Sequence, residues 1–263
     1  MTSTELIEEL ERELSFPSIE GGEKQIVCSL IARGESFDAI RDICSDSSLR
    51  LNLDRVNQIL ERNYSLQNDP SFIYVPSINI YVAKERTQLG KNWFECHKEL
   101  QANGERMLIL PEFIEFLKYC RINYQDIYKE ITEVRNPWRA EWIDADFKTR
   151  GRDLFINYNH SLDSSGNLIP QNSELLDKNN LMKDRIPGIS LEDYLNSNHT
   201  SQGLPTKKVQ SGDLYYWYPR SDDNSVAWFL ARFDAISGRA NLDCGRDPSD
   251  RDSVLGVRAV RHA

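Results

Sequence analysis

Apolar residues recur along the first 66 positions at the period of an amphipathic helix. The segment TELIEELERELS repeats them every three or four positions, which is helical spacing. Gly34 can serve as a C-cap for the next segment, and Ser36 and Asn52 can serve as N-caps for the two that follow. We therefore predict a helical module over residues 1–66.

The last three of these segments would be short helices joined by tight turns. Three such helices can form a helix-turn-helix unit that binds DNA. The third helix would offer only Arg55 and Arg62 to DNA phosphates. A plain three-helix bundle that mediates assembly is therefore the favoured interpretation of residues 1–66. The polar, turn-rich segment QNDPS at 67–71 marks the expected domain boundary.

The segment after this boundary predicts strands followed by helices. FIYVPSINIYVAKE is β-rich, and Pro76 suggests an edge strand or a bulge. RMLILPEFIEFLKYC predicts an extended segment that becomes a helix at Pro111, and NYQDIYKEITEV predicts another helix that ends before Asn136. NWFECHKELQANG predicts a helix stopped by Gly104, with one side formed by Trp93, Cys96, His97 and Leu100.

From residue 151 onward the pattern favours strands. DLFINYNH and LIPQNSELL predict a hairpin with a tip at DSSGN, and Ser190 caps a short helix, ISLEDYLNS, with Asp193 completing the capping box. GDLYYWYP, SVAWFLARFD, RANLD and LGVRAVRH then predict short strands separated by turns. Strands and helices that do not alternate regularly indicate an α+β domain over residues 70–263.

The overall charge and the cysteine pattern narrow the classes of function. The net charge is −9 and the pI is about 5.1, which argues against non-specific nucleic-acid binding by the whole chain. The five cysteines form neither a metal motif nor a disulfide framework, so we expect buried free thiols. The N-terminal residues lack the basic start and apolar core of a secretory signal, and no apolar run is long enough to span a membrane. We therefore expect a cytoplasmic or virion-associated protein without a signal peptide.

Residues 133–146 contain the densest group of carboxylates and tryptophans in the middle of the chain. Paired carboxylates can perform acid–base chemistry or bind a cation. Interleaved Arg135 and Arg139 favour another interpretation, a structural polar network around a buried tryptophan. The residues concerned are Glu133, Trp138, Glu141, Trp142, Asp144 and Asp146.

No catalytic or cofactor motif is present, and the four histidines are far apart in sequence. The acidic tract DCGRDPSDRD lacks the spacing of a calcium-binding EF-hand loop. We therefore expect no catalytic residues, no cofactor and no metal ion.

The last 35 residues have an unusual composition. Residues 229–263 contain no Lys, Glu, Gln, Met or Trp, although these five types account for 45 of the first 208 residues. Arginine and aspartate supply the charge of this tract instead. A strand-and-turn region that happens to favour Arg and Asp is the simpler explanation of this gap.

The C-terminal segment SVAWFLARFDAISGRANLDCGRDPSDRDSVLGVRAVRHA resembles the variable end of diversity-generating retroelement target proteins, most specifically through LGVRAVR. The segment from EITEVRNPWRAEWIDADF to GDLYYWYPR is similar to the archaeal branch of this family. RMLILPEFIEFLKY is similar to the helix entry of C-type lectin folds related to the formylglycine-generating enzyme. The resemblance covers about residues 70–263.

This resemblance implies a C-type lectin-like domain of that subclass. In the family, a reverse transcriptase misreads template adenines, so that AAY codons become NNY codons. Those codons cannot encode Lys, Glu, Gln, Met or Trp, the five types missing here. Sugar-binding tripeptides of animal lectins and the catalytic cysteine pair of the formylglycine-generating enzyme are both absent.

The resemblance implies a non-enzymatic protein that binds an unknown ligand, most simply a protein surface, through a variable region at about 226–260. Alternation along AWFLARFD suggests that Ala227, Phe229 and Ala231 are buried while Arg232 and Asp234 face solvent. We expect the energetic anchors of binding to be Arg232, Phe233 and Arg246. The expected ligand-contacting positions are Arg232, Phe233, Asp234, Ile236, Asn241, Asp243, Gly245, Arg246, Asp247, Asp250, Asp252 and Val254.

Two other classes of function remain open for this chain. In the first, residues 1–66 bind DNA and the C-terminal domain senses a ligand. The second is an enzyme of the formylglycine-generating type, which would need a reactive thiol. We expect no membrane partner, and nucleic acid only through residues 1–66.

Overall fold

The structure is a computed structural model that describes residues 69–183, 189–206, 212–219 and 229–262. The predicted helical module over 1–66 lies outside these residues, so its fold stays a prediction. The chain divides into two compact units, Met1–Tyr81 with His262–Ala263, and Val82–Arg261. Within the described ranges, each helix is too short or too polar to cross a lipid bilayer.

The described part of the first unit begins with strand β1 (Phe72–Val75) and the first half of strand β2 (Ile80–Ala83). Pro76 lies in the turn between them, which Asn79 completes at a φ of 51°. The rings of Tyr74 and Tyr81 lie 5.1 Å apart. The β-rich pattern of this segment is confirmed, but Pro76 lies in a turn between two strands and not within an edge strand or at a bulge.

Three helices follow in the second unit. Helix α1 spans Trp93–Ala102, α2 spans Leu110–Asn123 and α3 spans Gln125–Thr132. Helix α1 buries the four residues that the sequence placed on one side, Trp93, Cys96, His97 and Leu100. Proline occupies the first turn of α2, where its missing N–H costs nothing.

A seven-stranded sheet forms most of the second unit. Its strands are β3 (Ala140–Arg150), β4 (Asp153–Leu162), β5 (Leu168–Leu175), β6 (Leu214–Trp217), β7 (Phe229–Ile236), β8 (Arg239–Arg246) and β9 (Leu255–Gly256). The order is β5-β4-β3-β7-β8-β6, and β9 pairs in parallel with β3. Strand β7 therefore lies in the interior of the sheet.

The tight turns follow from residues that accept a positive φ. Strands β7 and β8 form a hairpin through Ser237, with a φ of 50°, and Gly238, with a φ of 80°. Two positive φ angles in a row give the backbone of a type I′ turn, which matches the twist of the strands.

Helix α4 (Leu191–Asn196) begins at Ser190, whose hydroxyl accepts a hydrogen bond from the Asp193 amide. The predicted cap at Ser190 is confirmed.

Strand β10 (Val260–His262) ends the described chain. Within the second unit, the Ala83 amide of β2 donates to the carbonyl of Ala259, just before β10. The end of this unit therefore lies beside its beginning. The α+β class predicted from the sequence is confirmed for the described residues.

Candidate functional site

The register of β7 and β8 gathers half of the predicted ligand-contacting residues on one surface. Arg232 lies opposite Asp243, and Asp234 lies opposite Asn241. Residues paired in this way project from the same face of a sheet. We call this surface the polar face, formed by Arg232, Asp234, Asn241, Asp243, Arg246 and Asp250.

Ion pairs connect the polar face into one continuous cluster. The Arg232 guanidinium lies 2.8 Å from the Asp234 carboxylate and 3.7 Å from that of Asp243. Arg246 approaches Asp243 at 3.8 Å and also pairs with Asp250. The Asn241 amide donates to Asp234 at 2.9 Å. Each charge of this cluster therefore lies beside an opposite one.

The cluster is more buried than the sequence suggested. Arg232 is 8% exposed and Asp234 is 1% exposed, so the expectation that both side chains face solvent is wrong. Strands β3 and β8 flank β7, and the ring of Trp138 lies 5.2 Å from the Arg232 guanidinium. Burial lowers the pKa of Arg232 and raises that of Asp234.

Several polar atoms of this surface are buried without a hydrogen-bond partner among the described residues. They are Nε of Arg232, Nε of Arg246, Oδ1 of Asn241 and the indole nitrogen of Trp138. Buried polar groups are normally paired, and an unpaired one costs about 1–3 kcal/mol. Four such atoms on one surface mark it as a place where an additional molecule could supply the missing partners.

Phe233 does not belong to this surface. Its side chain is 1% exposed and points to the opposite side of β7, where its ring lies 5.0 Å from that of Phe113 in α2. The expectation that Phe233 anchors a ligand is therefore wrong. Successive side chains of a strand alternate between faces, so Arg232 and Phe233 cannot share one surface.

The remaining predicted positions lie at the edge of the polar face or in the loop that follows β8. Asp247 and Asp252 are exposed, and the others are partly buried. The Gly245 amide donates to the Asp243 carboxylate at 3.0 Å, which fixes the end of β8 against the cluster. We call this group the rim: Ile236, Gly245, Asp247, Asp252 and Val254. Ala227 lies outside the described residues, Ala231 is buried as expected, and Phe229 is only partly buried.

Two aromatic residues that the sequence analysis did not single out adjoin the polar face. Tyr215 and Trp217 of β6 lie opposite Asn241 and Asp243 in the parallel register, and both are partly exposed. Arg239 donates to the Tyr215 hydroxyl at 3.0 Å. The alternation in LYYW, with Leu214 buried, was the signal that could have identified them.

The carboxylates of residues 133–146 separate into two groups. Glu141 forms the structural network that the sequence favoured, because it pairs with buried Arg139 and Arg258. Glu130 of α3 completes the network, 2.9 Å from Arg258. Glu133 and Arg135 are exposed, so their expected part in the network is not supported.

Asp144 and Asp146 contact two histidines from distant parts of the chain. His160 of β4 lies with Nδ1 2.5 Å from Asp144 Oδ1 and with Nε2 2.9 Å from Asp146 Oδ2. His97 of α1 places Nε2 3.6 Å from the same Asp144 oxygen. We call these four residues, all buried, the histidine–aspartate cluster. The sequence did not predict this cluster, because His97 and His160 are far apart in the chain.

The two histidines have opposite pKa shifts. Burial lowers the pKa of His97 to about 4. Burial alone would also lower the pKa of His160, but its hydrogen bonds to Asp144 and Asp146 outweigh this effect and raise it to about 9. At neutral pH His97 is thus uncharged. One of its ring nitrogens then carries a lone pair and the other carries an N–H group that can donate a hydrogen bond.

The described cysteines are unreactive. Cys96, Cys120 and Cys244 are buried free thiols, as expected from the sequence. Burial raises the pKa of Cys96 and Cys120 to about 12 and that of Cys244 well above its ordinary value. A thiolate is the reactive form of cysteine, so these three residues do not fit an enzyme that depends on an activated thiol.

Comparisons with known proteins identify no protein similar to this chain. No protein-family model matches the chain, and no curated protein or solved structure matches it either.

Proposed function

We propose that this chain is a non-enzymatic binding protein that captures another protein through the polar face and its rim. The observation that carries this proposal is the gathering of Arg232, Asp234, Asn241 and Asp243 on one surface with unpaired buried polar atoms. We further propose that the chain is the variable protein of a diversity-generating retroelement, with a C-type lectin-like scaffold.

The chemistry of the surface suits protein recognition. Arginine, tyrosine and tryptophan dominate the binding energy of protein interfaces. Here Arg232 and Arg246 approach Asp243, which lies opposite partly exposed Trp217. The carboxylates of the polar face hold the guanidinium groups in fixed positions. A preorganised side chain loses less entropy when a ligand binds.

The rim has the properties of positions that tolerate replacement. Asp247 and Asp252 are exposed and lie in the loop between β8 and β9. Within the described ranges, the Asp247 carboxylate accepts its hydrogen bonds from Ser249, two residues away. Exposed loop residues on a rigid sheet can change without loss of core packing. This division between a buried cluster and a replaceable rim supports the proposed role in diversification.

The arrangement of the second unit supports the proposed scaffold. Its first and last strands lie side by side near Ala83 and Ala259, and the helices and the large sheet lie between them in sequence. Such an arrangement is compatible with a C-type lectin-like domain. The loop after β8 lies outside this pairing of Ala83 with Ala259. Its residues can therefore vary without disturbing the two ends of the second unit.

A library experiment tests the proposed binding surface. NNY codons would replace Ile236, Arg246, Asp247, Asp250, Asp252 and Val254 in the full chain, displayed on yeast and selected against purified lysozyme. We expect most clones to remain folded, as measured by protease resistance, because none of these side chains belongs to the hydrophobic core. We also expect lysozyme binders, because these positions surround the polar face.

A second library serves as the matched control. It randomises six exposed positions in α2, in α3 or directly after α3: Ile122, Asn123, Gln125, Asp126, Lys129 and Glu133. Helix α2 lies on the Phe233 side of the sheet. We expect roughly tenfold more lysozyme binders from the first library, because energetic anchors concentrate at specific surfaces. Equal yields from both libraries, or widespread unfolding in the first, would contradict the proposed surface.

A further inference from the structure

We propose that His97, Asp144 and His160 bind a divalent transition-metal ion of the zinc class in the core of the second unit. The three residues come from α1, β3 and β4. One ligand atom from each lies within 4.8 Å of the others, and all three residues are buried. This site is independent of the proposed protein-binding surface.

His97 is the strongest indication of a missing ligand. Both of its ring nitrogens are buried without a hydrogen-bond partner among the described residues, and the side chain is 0% exposed. Trp93 packs edge-on against the ring at 4.3 Å and fixes its orientation. An imidazole held in this way, with Nε2 3.6 Å from the Asp144 carboxylate, presents a ring nitrogen to which a metal ion can bind.

The groups around His160 have the arrangement of an outer coordination shell. Histidines that bind metal ions usually donate their second ring N–H to a carboxylate. If Nδ1 of His160 binds the ion, Nε2 donates to Asp146 Oδ2 at 2.9 Å. Asp146 is itself held by the Asn157 amide at 2.6 Å. The second oxygen of Asp144 accepts from the His160 backbone amide, which leaves Oδ1 facing both imidazoles.

Two of the three distances between the ligand atoms show how far the cluster must adjust to accommodate an ion, and the third, between the two imidazole nitrogens, is no more than 4.8 Å. Zinc ligands at about 2.0–2.2 Å in tetrahedral geometry lie about 3.4 Å from one another. His97 Nε2 and Asp144 Oδ1 already lie 3.6 Å apart. His160 Nδ1 and Asp144 Oδ1 lie at hydrogen-bond distance, 2.5 Å. They would separate by about 1 Å when the ion replaces the shared proton.

The ligand set selects the class of metal. Two imidazoles and one carboxylate suit zinc, iron or copper, whereas calcium and magnesium prefer sites made of oxygen atoms alone. An ion pair of protonated His160 with Asp144 and Asp146 explains those three residues without a metal. It does not explain the unpaired nitrogens of His97, of which Nε2, the one nearest to Asp144, would bind an ion at this place.

The test uses the full chain, purified from cells grown with added zinc and dialysed against metal-free buffer. Elemental analysis by mass spectrometry should find about one zinc ion per chain. The His97→Gln variant keeps most of the side-chain volume and should lose most of this zinc. The His199→Ala variant is the control, because His199 contacts the Tyr194 carbonyl outside the cluster. It should retain the ion.

A second variant keeps the proposal testable if His97→Gln does not fold. Asp146 acts as a positioning residue, so Asp146→Asn should weaken zinc binding by about 10- to 100-fold while leaving the ligands in place. Cobalt added to the chelated wild type should give the visible absorption of a tetrahedral site. Absence of bound zinc, of this absorption and of any zinc-dependent rise in Tm would overturn the proposal.

Discussion

At the scale of single residues, burial decides whether a side chain near the binding surface serves the fold or the ligand. Phe233 packs against Phe113 and is almost fully buried. Replacing it with alanine removes these contacts and leaves a cavity, which typically costs about 3–5 kcal/mol. We therefore expect Phe233→Ala to lower the free energy of unfolding by this amount, measured by urea denaturation.

Phe229 is the matched control, because it lies in the same strand but is only partly buried. Its replacement by alanine should cost clearly less, about 1.5 kcal/mol or below, because less apolar area is lost. If both variants were equally stable, Phe233 would not be a core residue. The expectation from the sequence that Phe233 contacts the ligand would then regain support.

The residues show which parts of the site the sequence could predict. Alternation in AWFLARFD predicted strand β7 but not the burial of Arg232 and Asp234, because the polar face is covered by its own ion pairs and by Trp138. The burial of His97 followed from the helical pattern of α1. Its proximity to His160 did not, because that contact depends on how α1 packs against the sheet.

At the scale of elements, the start of α1 is determined by local chemistry. The Asn92 side chain accepts from the Glu95 amide at 2.9 Å, and Glu95 accepts from the Asn92 amide at 3.1 Å. This reciprocal pair is a capping box. Asn92→Ala should lower the free energy of unfolding by about 1 kcal/mol, which corresponds to a fall in Tm of about 2–4 °C.

The opposite end of α1 provides the control. Asn103 is exposed, and its amide donates to the Glu99 carbonyl at 3.1 Å. Asn103→Ala should change Tm by less than Asn92→Ala, since exposed positions usually contribute below about 0.5 kcal/mol. Calorimetry of both variants measures the difference. An equal fall in Tm would show that the capping box adds no stability of its own.

Elements with regular patterns were predicted, whereas β3 was not. Its sequence, AEWIDADFKTR, places Glu141, Asp144 and Asp146 among buried positions. Alternation of apolar and polar residues is lost there, because these carboxylates have partners in other elements. Arg258 pairs with Glu141, and His160 pairs with both aspartates. A strand stabilised by buried ion pairs cannot be recognised from hydrophobic periodicity alone.

At the scale of the whole molecule, residues 229–262 contribute both to the core and to the proposed binding surface. Leu242 and Val257 are buried apolar residues, and Arg258 is buried with its carboxylate partners. If this tract is rewritten by a reverse transcriptase, only side chains outside the core can change without unfolding the domain. Buried positions remove contacts when replaced, at a cost of several kcal/mol.

This constraint makes a prediction for related copies of the gene. Sequencing of sibling copies should place substitutions at the rim, including Asp247 and Asp252, and at Arg246 and Asp250 of the polar face, which are only partly buried. It should leave Phe233 and Leu242 unchanged. An adenine-richer copy of the region encoding 229–263 should lie near a reverse transcriptase gene. Substitutions spread evenly over buried and exposed positions, or a genome without such a copy, would refute diversification, while the library experiment would still test binding.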